Sequence, residues 1–277
     1  MIPAVDHCKT EFERVSRQRP PSEPMHFRHQ RWEALEQFLL NGFPVAALAD
    51  RFFTMAAPPT TVSQDRDLAC GRPPGPSCAE MVFVNGYFVG SASSIAELPA
   101  GVQIESLACA LGRGAEEVTA YLSRVAPVAE LPFVALNTAM FVDGVCVLIG
   151  AGVRLFEPIH VRFVSTGEAD MRPAMSHPRV LIVADARSEA SVVESYSGPD
   201  DVEYLTNAVT EMVLGANARM DYSTTQDEGR KAFHIKTTRV NAGPGAVLFT
   251  HAAHRGAALV RCDATSAIGT GRPGGRY

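Results

Sequence analysis

The segments that decide the fold are Arg179-Val-Leu-Ile-Val-Ala-Asp185, Ser191-Val-Val-Glu-Ser-Tyr196, Tyr204-Leu-Thr-Asn-Ala-Val-Thr-Glu-Met-Val-Leu214, Ala216-Asn-Ala-Arg-Met-Asp-Tyr222 and Lys231-Ala-Phe-His-Ile-Lys236. They follow one another with almost no helix between them, are rich in β-branched and aromatic residues, and often alternate apolar with polar positions. Their larger units recur at roughly 25 residues, which is the scale of repeat in stacked-coil proteins. The pattern predicts a mainly β chain that lays strand on strand around one long core.

The composition is that of an ordinary globular protein. The chain has 277 residues, of which 46% are hydrophobic and 20% charged, and its formal net charge is −5. This charge gives no electrostatic reason to expect a nucleic-acid or membrane partner. No stretch approaches the ~20 apolar residues that span a bilayer, and the N-terminus lacks the charged-then-apolar order of a secretion signal. A cytoplasmic location is therefore expected.

Residues 1–57 are predicted to form a helical N-terminal domain. The apolar positions of Arg31–Leu40 fall three or four residues apart, as on one face of a helix. Gly42 then supplies a stop, because glycine adopts the left-handed conformation at a helix end without steric cost. Trp32 is expected to anchor the core of this domain.

Residues 58–80 are rich in proline and glycine and are predicted to be a linker. Residues 81–130 are predicted to hold a hairpin and a short helix that lead into the β region. The hairpin turn is Asn85-Gly86, a pair that accepts the positive φ angles of a two-residue turn. The short helix is expected over residues 115–125.

The β body is predicted to run from residue 131 to residue 263. It is expected to begin with a strand at Val134–Val142, which reaches a second hairpin-type turn at Asp143-Gly144. Residues 264–277 are glycine-rich and without periodicity. Such a composition cannot bury enough apolar surface to fold, so a disordered tail is expected there.

Two groups of residues were weighed as metal ligands. Cys70 and Cys78 bracket a proline-rich loop, with a spacing looser than that of usual zinc knuckles. His251 and His254 have a spacing that suits one helical turn better than a strand, with Asp263 as the nearby carboxylate. In both cases the structural interpretation, without a metal, is preferred.

Other polar residues on the predicted strands also have structural explanations. His160 and His234 lie on alternating strands, where a histidine is more often a hydrogen-bonded face residue than a ligand. Cys109 and Cys146 lie in apolar surroundings and are interpreted as small buried side chains.

Catalytic motifs are equally weak. Glu189, Glu194 and Glu211 are spaced along predicted strands and could supply a carboxylate pair for glycoside cleavage, but outward carboxylates of a stacked β body are usually solvated. Gly269–Gly274 mimics part of a dinucleotide fingerprint, yet it contains a proline and no helix pattern follows. Taken alone, the residues assign no catalytic, cofactor-binding or metal-binding position.

Several phrases in one order resemble the SufB/SufD scaffold proteins of iron–sulfur cluster assembly. The phrases are Arg31-Trp-Glu-Ala-Leu35, Asn41-Gly-Phe-Pro44, Leu131–Gly144, Pro158-Ile-His-Val161, Pro178–Val183, Ser188–Tyr196, Leu205–Glu211, Gln226, Ala232-Phe-His-Ile235 and Gly256–Asp263. The resemblance covers residues 31–263, and Asn137-Thr-Ala with Asp143-Gly144 favours SufD over SufB.

The resemblance implies a helical domain followed by a right-handed parallel β-helix. It further implies a non-enzymatic subunit of the SufB–SufC–SufD complex, in which SufC hydrolyses ATP and the β-helix subunits shelter the nascent cluster. A contribution to iron entry is implied as well. The iron–sulfur cluster and reduced flavin are implied only for the whole complex, and no cofactor is expected on this chain alone.

The sequence also departs from the family. It lacks the Asp-Asp-Val-Lys-Cys-x-His-Gly-Ala-Thr segment of the core and the C-terminal helical domain that docks SufC. The chain is therefore expected to be a C-terminally truncated form, with a β-helix incomplete at its C-terminal end and without its docking regions for SufB and SufC.

An alternative hypothesis comes from a different class, a free-standing β-helix enzyme acting on polysaccharide. It requires a cluster of charged side chains on one face of the coils. Lys236, Arg239 and Asp221 are the residues available for such a cluster.

Overall fold

A computed structural model of the chain describes residues 2–43, 54–59, 75–166 and 173–269. The helices are α1 (Ile2–Ser16), α2 (Met25–Asn41), α3 (Leu107–Gly112), α4 (Glu116–Thr119) and α5 (Pro132–Met140), with a 3₁₀ turn at Gly90–Ala92. The strands are β1 (Thr54–Met55), β2 (Ala79–Val84), β3 (Tyr87–Phe88), β4 (Ser94–Ile95), β5 (Val102–Ser106), β6 (Gly144–Ile149), β7 (Ile159–Val164), β8 (Ala174–Ser176), β9 (Arg179–Ala184), β10 (Glu189–Ser197), β11 (Tyr204–Leu214), β12 (Arg219–Glu228), β13 (Phe233–Ala242), β14 (Val247–Gly256) and β15 (Leu259–Ile268).

The strands build a parallel β-solenoid, which confirms the predicted fold class of a mainly β chain with a helical N-terminal region. From β10 onward, successive strands alternate between two sheets. Strands β10, β12 and β14 pair in parallel in one sheet, here called sheet B, and β11, β13 and β15 pair in parallel in the other, sheet A. Register partners fall about 26 to 30 residues apart, close to the predicted repeat.

The same two stacks extend toward the N-terminal side of the solenoid. In sheet B, β2 and β7 pair in parallel below β10, and in sheet A, β6 and β9 pair in parallel below β11. The β2–β3 hairpin turns at Asn85-Gly86, as predicted. Asn85 has φ 55° and Gly86 has φ 85°, the positive pair that this two-residue turn requires.

The main core lies between the two sheets. It is filled by inward-facing aliphatic and aromatic side chains, among them Met81, Ile159, Val192, Ile182 and Met212. Because strand side chains alternate between faces, every second residue of each strand enters this interior. Sheet A is also buried on part of its outer face, where α5 packs against β11 and β13 and α2 packs against α5.

Helix α2 ends at Asn41 and is followed by Gly42 with φ 66°, as predicted. The expectation for Trp32 is wrong, because its side chain is 50% exposed and packs at a tilt against Phe12, with ring centroids 4.7 Å apart. The buried stripe of α2 instead includes Leu35 and Phe38. Trp32 lies on the adjoining face of the helix, which only α1 covers in part.

The strand predicted at Val134–Val142 is wrong, because residues 132–140 form α5. Pro132 occupies the first turn, where its missing N–H costs nothing, and its fixed φ suits a helix. Every residue from Phe133 to Met140 is buried, so no amphipathic period marks the helix in the sequence. The hairpin expected at Asp143-Gly144 is also absent, since β6 starts at Gly144 and pairs antiparallel with β5.

Two other boundaries differ from the sequence predictions. The short helix expected over residues 115–125 is limited to Glu116–Thr119, and α3 precedes it. The disordered tail is predicted to begin at residue 264. This predicted start is too early, because β15 pairs with β13 through Ile268. Residues 270–277 lie outside the described ranges, as does most of the predicted linker. The domain boundaries themselves stay predictions.

Within the described ranges, no helix combines the length and the hydropathy that crossing a membrane requires. The cytoplasmic location stays a prediction.

Candidate functional site in the solenoid interior

The candidate site is a group of polar side chains inside the solenoid, enclosed by apolar core on either side. Glu194 and Tyr196 face inward from β10, Thr210 from β11, Tyr222 from β12 and Lys236 from β13. All five are buried, with exposures of 0–5%. We call them the interior cluster. Each lies an even number of residues from a core residue of its own strand, such as Val192, Met212 or Val240. Side chains alternate along a strand, so all five point inward.

Hydrogen bonds connect every member of the interior cluster. The Lys236 Nζ donates to Glu194 Oε2 at 2.5 Å, to Thr210 Oγ1 at 3.0 Å and to Tyr196 OH at 3.1 Å. Tyr196 OH in turn donates to Glu194 Oε2 at 2.8 Å, and Thr210 Oγ1 donates to Glu194 Oε1 at 3.0 Å. Tyr222 OH joins the group through Thr210 at 3.4 Å.

The electrostatics keep the central pair charged. Burial alone would raise the pKa of Glu194, but the Lys236 ammonium and the hydrogen bonds outweigh burial and hold that pKa below its usual value. Burial alone would lower the pKa of Lys236, yet the Glu194 carboxylate holds it well above its ordinary value. For Tyr196, burial and the Glu194 charge raise the pKa, so the phenol stays neutral.

A second polar group lies beside the interior cluster, where β12 turns into β13. His234 Nδ1 lies 2.7 Å from Glu228 Oε2, and no hydrogen bond joins the two atoms. Thr206 donates to Glu228 Oε1 at 2.6 Å, and Gln226 donates to Glu228 Oε2 at 3.3 Å. The His234 ring meets Tyr196 edge-on at 4.9 Å, which joins the two groups. His234 Nε2 is buried without a hydrogen-bond partner.

In the described part of the chain, the inward-facing rows continue into the exposed coil of β14 and β15. His254 stands in register with Gln226, and Cys262 stands in register with Lys236, so both continue the inward-facing rows. Cys262 Sγ lies 3.7 Å from His254 Nε2, and both residues are exposed. Partial burial, with the charges of His234 and Lys236, lowers the pKa of His254.

Another buried ion pair lies on the opposite, outer face of sheet A. Arg179 Nη2 donates to Glu211 Oε2 at 2.5 Å, and both side chains are fully buried. Glu211 also accepts hydrogen bonds from the backbone N–H groups of Ser123, Val125 and Ala126. This arrangement fixes the segment after α4 to the sheet, which is a structural role.

The three carboxylates proposed as an acid pair do not come together. Glu194 binds Lys236 in the interior, Glu211 binds Arg179 on the outer face of sheet A, and Glu189 is exposed near Arg154. A glycosidase pair needs two carboxyl groups that face one substrate bond. No two of these three share a face.

The charged cluster needed by the polysaccharide hypothesis is also separated. Lys236 faces the interior, whereas Arg239 lies on the outer face of β13 and bonds to Asp263 at 2.9 Å. Asp221 lies on the outer face of β12, 3.8 Å from His251. Lys236 is inside the solenoid and the other two lie on different sheets.

The residues considered as alternative metal ligands are separated in the same way. His251 and His254 point to opposite faces of β14, because residues three apart on a strand alternate. Asp263 pairs with Arg239 instead. Cys70 lies outside the described residues, and Cys78 contacts the carbonyl oxygens of Glu157 and Pro158.

The remaining histidines and cysteines fit their structural interpretation only in part. His160 is buried on the outer face of sheet B, and Cys146 is buried. Cys109 is exposed on α3, contrary to expectation.

Sequence reasoning missed the interior cluster, and the signal was weak. Alternation shows which residues of a strand share a face, but both faces of sheet A are buried, so alternation does not reveal which face is the interior. Lys236 shares its parity with His234 and Val240, and this was the available clue. Chemically, the cluster holds a charged pair away from solvent.

Two family profiles match the chain in consecutive segments. A profile described as the SufBD protein N-terminal region matches residues 53–161, and one described as SUF system FeS cluster assembly, SufBD core domain, matches residues 163–271. The core match covers the parallel strands from β8 to β15. Together the two profiles account for most of the chain.

Curated proteins of the same family are similar over parts of the chain. An iron–sulfur cluster assembly SufBD family protein of Synechocystis is 31% identical over 173 residues, covering 60% of this chain and 38% of the relative. The chloroplastic protein ABCI7 of Arabidopsis thaliana is 33% identical over 102 residues, covering 35% and 22%. A second Synechocystis family protein is 34% identical over 129 residues, covering 46% and 26%. The chain thus spans well under half the length of these relatives.

Proposed function

The chain belongs to the SufB/SufD family, and on that premise we propose that it is a SufD-like scaffold subunit for iron–sulfur cluster assembly in the SUF system. Its partners would be SufB and SufC. The proposal includes a contribution to iron entry, for which the family resemblance is the support. It assigns the cluster and reduced flavin to the assembled complex and no cofactor of that kind to this chain.

One observation carries the scaffold proposal: the segment that matches the family core is a stack of coils filled by its own side chains. The charged groups of the interior cluster bond to one another and lie away from solvent. A rigid stack of this kind offers long surfaces to other proteins.

The proposal also treats the chain as non-catalytic. The carboxylates that could have formed an acid pair are each bound to a different cation or exposed. In a scaffold, energy from ATP hydrolysis by SufC would reach the cluster site through movement of the β-solenoid subunits. The residues of this chain would then contribute shape and contact surface.

Co-purification tests the proposal. The tagged chain is co-expressed with SufB and SufC from one organism, and the material bound through the tag is quantified. We expect SufB to be retained in a fixed ratio to the chain through the coils that are present, an outcome that would overturn the expectation of a missing SufB docking region. Untagged full-length SufD, co-expressed as a competitor, should reduce that recovery, because it would occupy the same place.

An unrelated solenoid protein with the same tag is the matched control and should retain neither partner. Recovery of no SufB would contradict the proposal, as would recovery that the SufD competitor leaves unchanged. Retention of SufC as well would contradict the separate expectation that the domain that docks SufC is missing.

A further inference from the structure

The coil of β14 and β15 places a thiol and an imidazole side by side on an accessible surface. Cys262 Sγ lies 3.7 Å from His254 Nε2, although the two residues belong to different strands. Both side chains are exposed among the described residues. The side chains face each other because both continue the inward-facing rows of their sheets.

The separation of these two atoms suits a shared metal ion. With a Zn–S distance near 2.3 Å, a Zn–N distance near 2.0 Å and a tetrahedral angle, the sulfur and nitrogen of two zinc ligands lie about 3.5 Å apart. The observed 3.7 Å is close to that value. A cation between Cys262 and His254 would therefore need only small side-chain rotations.

A further histidine faces the interior on the strand that pairs with β15. His234 faces the interior two positions before Lys236, which is the register partner of Cys262. No described residue forms a hydrogen bond with its buried Nε2, and its Nδ1 lies 2.7 Å from Glu228 Oε2 without a hydrogen bond. A carboxylate at one ring nitrogen is the usual support for a histidine whose other nitrogen meets a metal.

We propose that Cys262 and His254 bind a thiophilic divalent cation of the zinc class. Thiolate and imidazole together favour zinc and related transition metals over magnesium or calcium, which prefer oxygen. No three ligating side chains of the described residues already surround one point, so water completes the coordination or His234 enters it. The site is independent of the SUF role, because it depends only on these side chains.

Cobalt(II) is the probe, since it takes zinc sites and gives a thiolate-to-cobalt charge-transfer band in the near ultraviolet. The full chain, reduced and with any affinity tag removed, is titrated with Co²⁺, and zinc is then added as competitor. We expect one equivalent of Co²⁺ to saturate the band and zinc to abolish it. Cys262→Ser should remove the band, and His254→Ala should weaken binding by more than about tenfold.

Two matched control variants change an exposed cysteine and an exposed histidine that do not belong to the Cys262–His254 pair. Cys109→Ser removes another exposed thiol, and His251→Ala removes the histidine that faces outward from the same strand. Both should bind Co²⁺ like the parent chain. All four substitutions are at exposed positions, and circular dichroism checks that each variant is folded. A band that persists in Cys262→Ser, or the lack of saturable binding, would overturn the proposal.

Discussion

At the scale of single residues, the interior of this solenoid depends on a buried charge pair that is satisfied only as a unit. Glu194 and Lys236 bond to each other and to Tyr196 and Thr210 in surroundings that exclude water. Replacing one partner of a buried ion pair lowers stability more than replacing both. The remaining charge is then still buried but has lost its partner.

The first prediction concerns this pair. Lys236→Met should lower the free energy of unfolding by about 3–5 kcal/mol, because it leaves the Glu194 carboxylate buried without its cationic partner. The double variant Glu194→Gln with Lys236→Met should be more stable than Lys236→Met alone, because no unpaired charge is left. Urea unfolding followed by circular dichroism measures both.

The control for this prediction is an exposed ion pair on sheet B. Asp227 pairs with Arg255 at the surface, and Asp227→Asn should cost less than about 1 kcal/mol. A double variant less stable than Lys236→Met would show that the two charges do not depend on each other.

The second prediction concerns His177, which is fully buried between Asn207 and the end of β8. Burial lowers the pKa of His177 to about 3, and its Nδ1 lies 3.1 Å from Asn207 Nδ2. The unfolded chain binds a proton at this residue below about pH 6.5, whereas the folded chain does not until about pH 3. Stability therefore falls as the pH drops through this window.

His177→Asn keeps an acceptor near the Nδ1 position but cannot titrate. Between pH 7 and pH 5 the parent should lose about 2 kcal/mol more stability than the variant. Urea unfolding at the two pH values measures the difference, and carboxylates common to both proteins cancel. Equal pH dependence in the two proteins would contradict a neutral buried His177.

At this scale the sequence predicted little of the site. It marked Glu194 and His234 as polar residues on strands, yet left open whether they face solvent or core. The answer depends on the partner strand across the interior: Glu194 meets Lys236 only because β10 and β13 lie on opposite sheets. Such a contact links residues far apart in the chain, and periodicity carries no information about it.

At the scale of secondary-structure elements, the strands were predictable and one helix was not. In segments such as β11 (Tyr204–Leu214), β-branched residues and the turn residues on either side indicate a strand. Helix α5 lacks both an exposed face and the amphipathic period, because it is packed between α2 and sheet A. A short apolar run of this kind fits a buried strand equally well.

The third prediction tests how closely successive coils approach each other. Gly229 follows β12, and a Cβ added there would lie 1.8 Å from the carbonyl oxygen of Pro199 in the neighbouring coil. Gly229→Ala should therefore force the coils apart and lower stability by about 3 kcal/mol or more. Thermal and urea unfolding of the variant measure the loss.

Gly112→Ala is the matched control for this substitution. Gly112 ends helix α3, and its added Cβ would meet Pro20 at an ordinary 3.5 Å. Alanine favours a helix over glycine by up to about 1 kcal/mol, so this variant should be unchanged or slightly more stable. If both alanine variants behaved alike, close coil packing at Gly229 would not be the cause.

At the scale of the whole molecule, the fold class and the family were predictable, but the contacts among the interior polar side chains were not. The spacing of strand-like segments indicated stacked coils, and ordered phrases indicated the SufB/SufD family, which the profile matches confirm. Both signals are distributed over long stretches of chain. The assignment to SufD, the truncation and the partners stay predictions.

The central claim is that this solenoid acts through its shape and its surfaces, with interior charges that serve stability. Its most direct test is the amount of SufB that co-purifies with the double variant Glu194→Gln/Lys236→Met, compared with the parent chain. The variant loses both interior charges and keeps the outer surfaces, so we predict that it retains SufB in the same ratio as the parent. A double variant that unfolds cooperatively, gives the parent's circular dichroism spectrum and yet retains no SufB would contradict the claim.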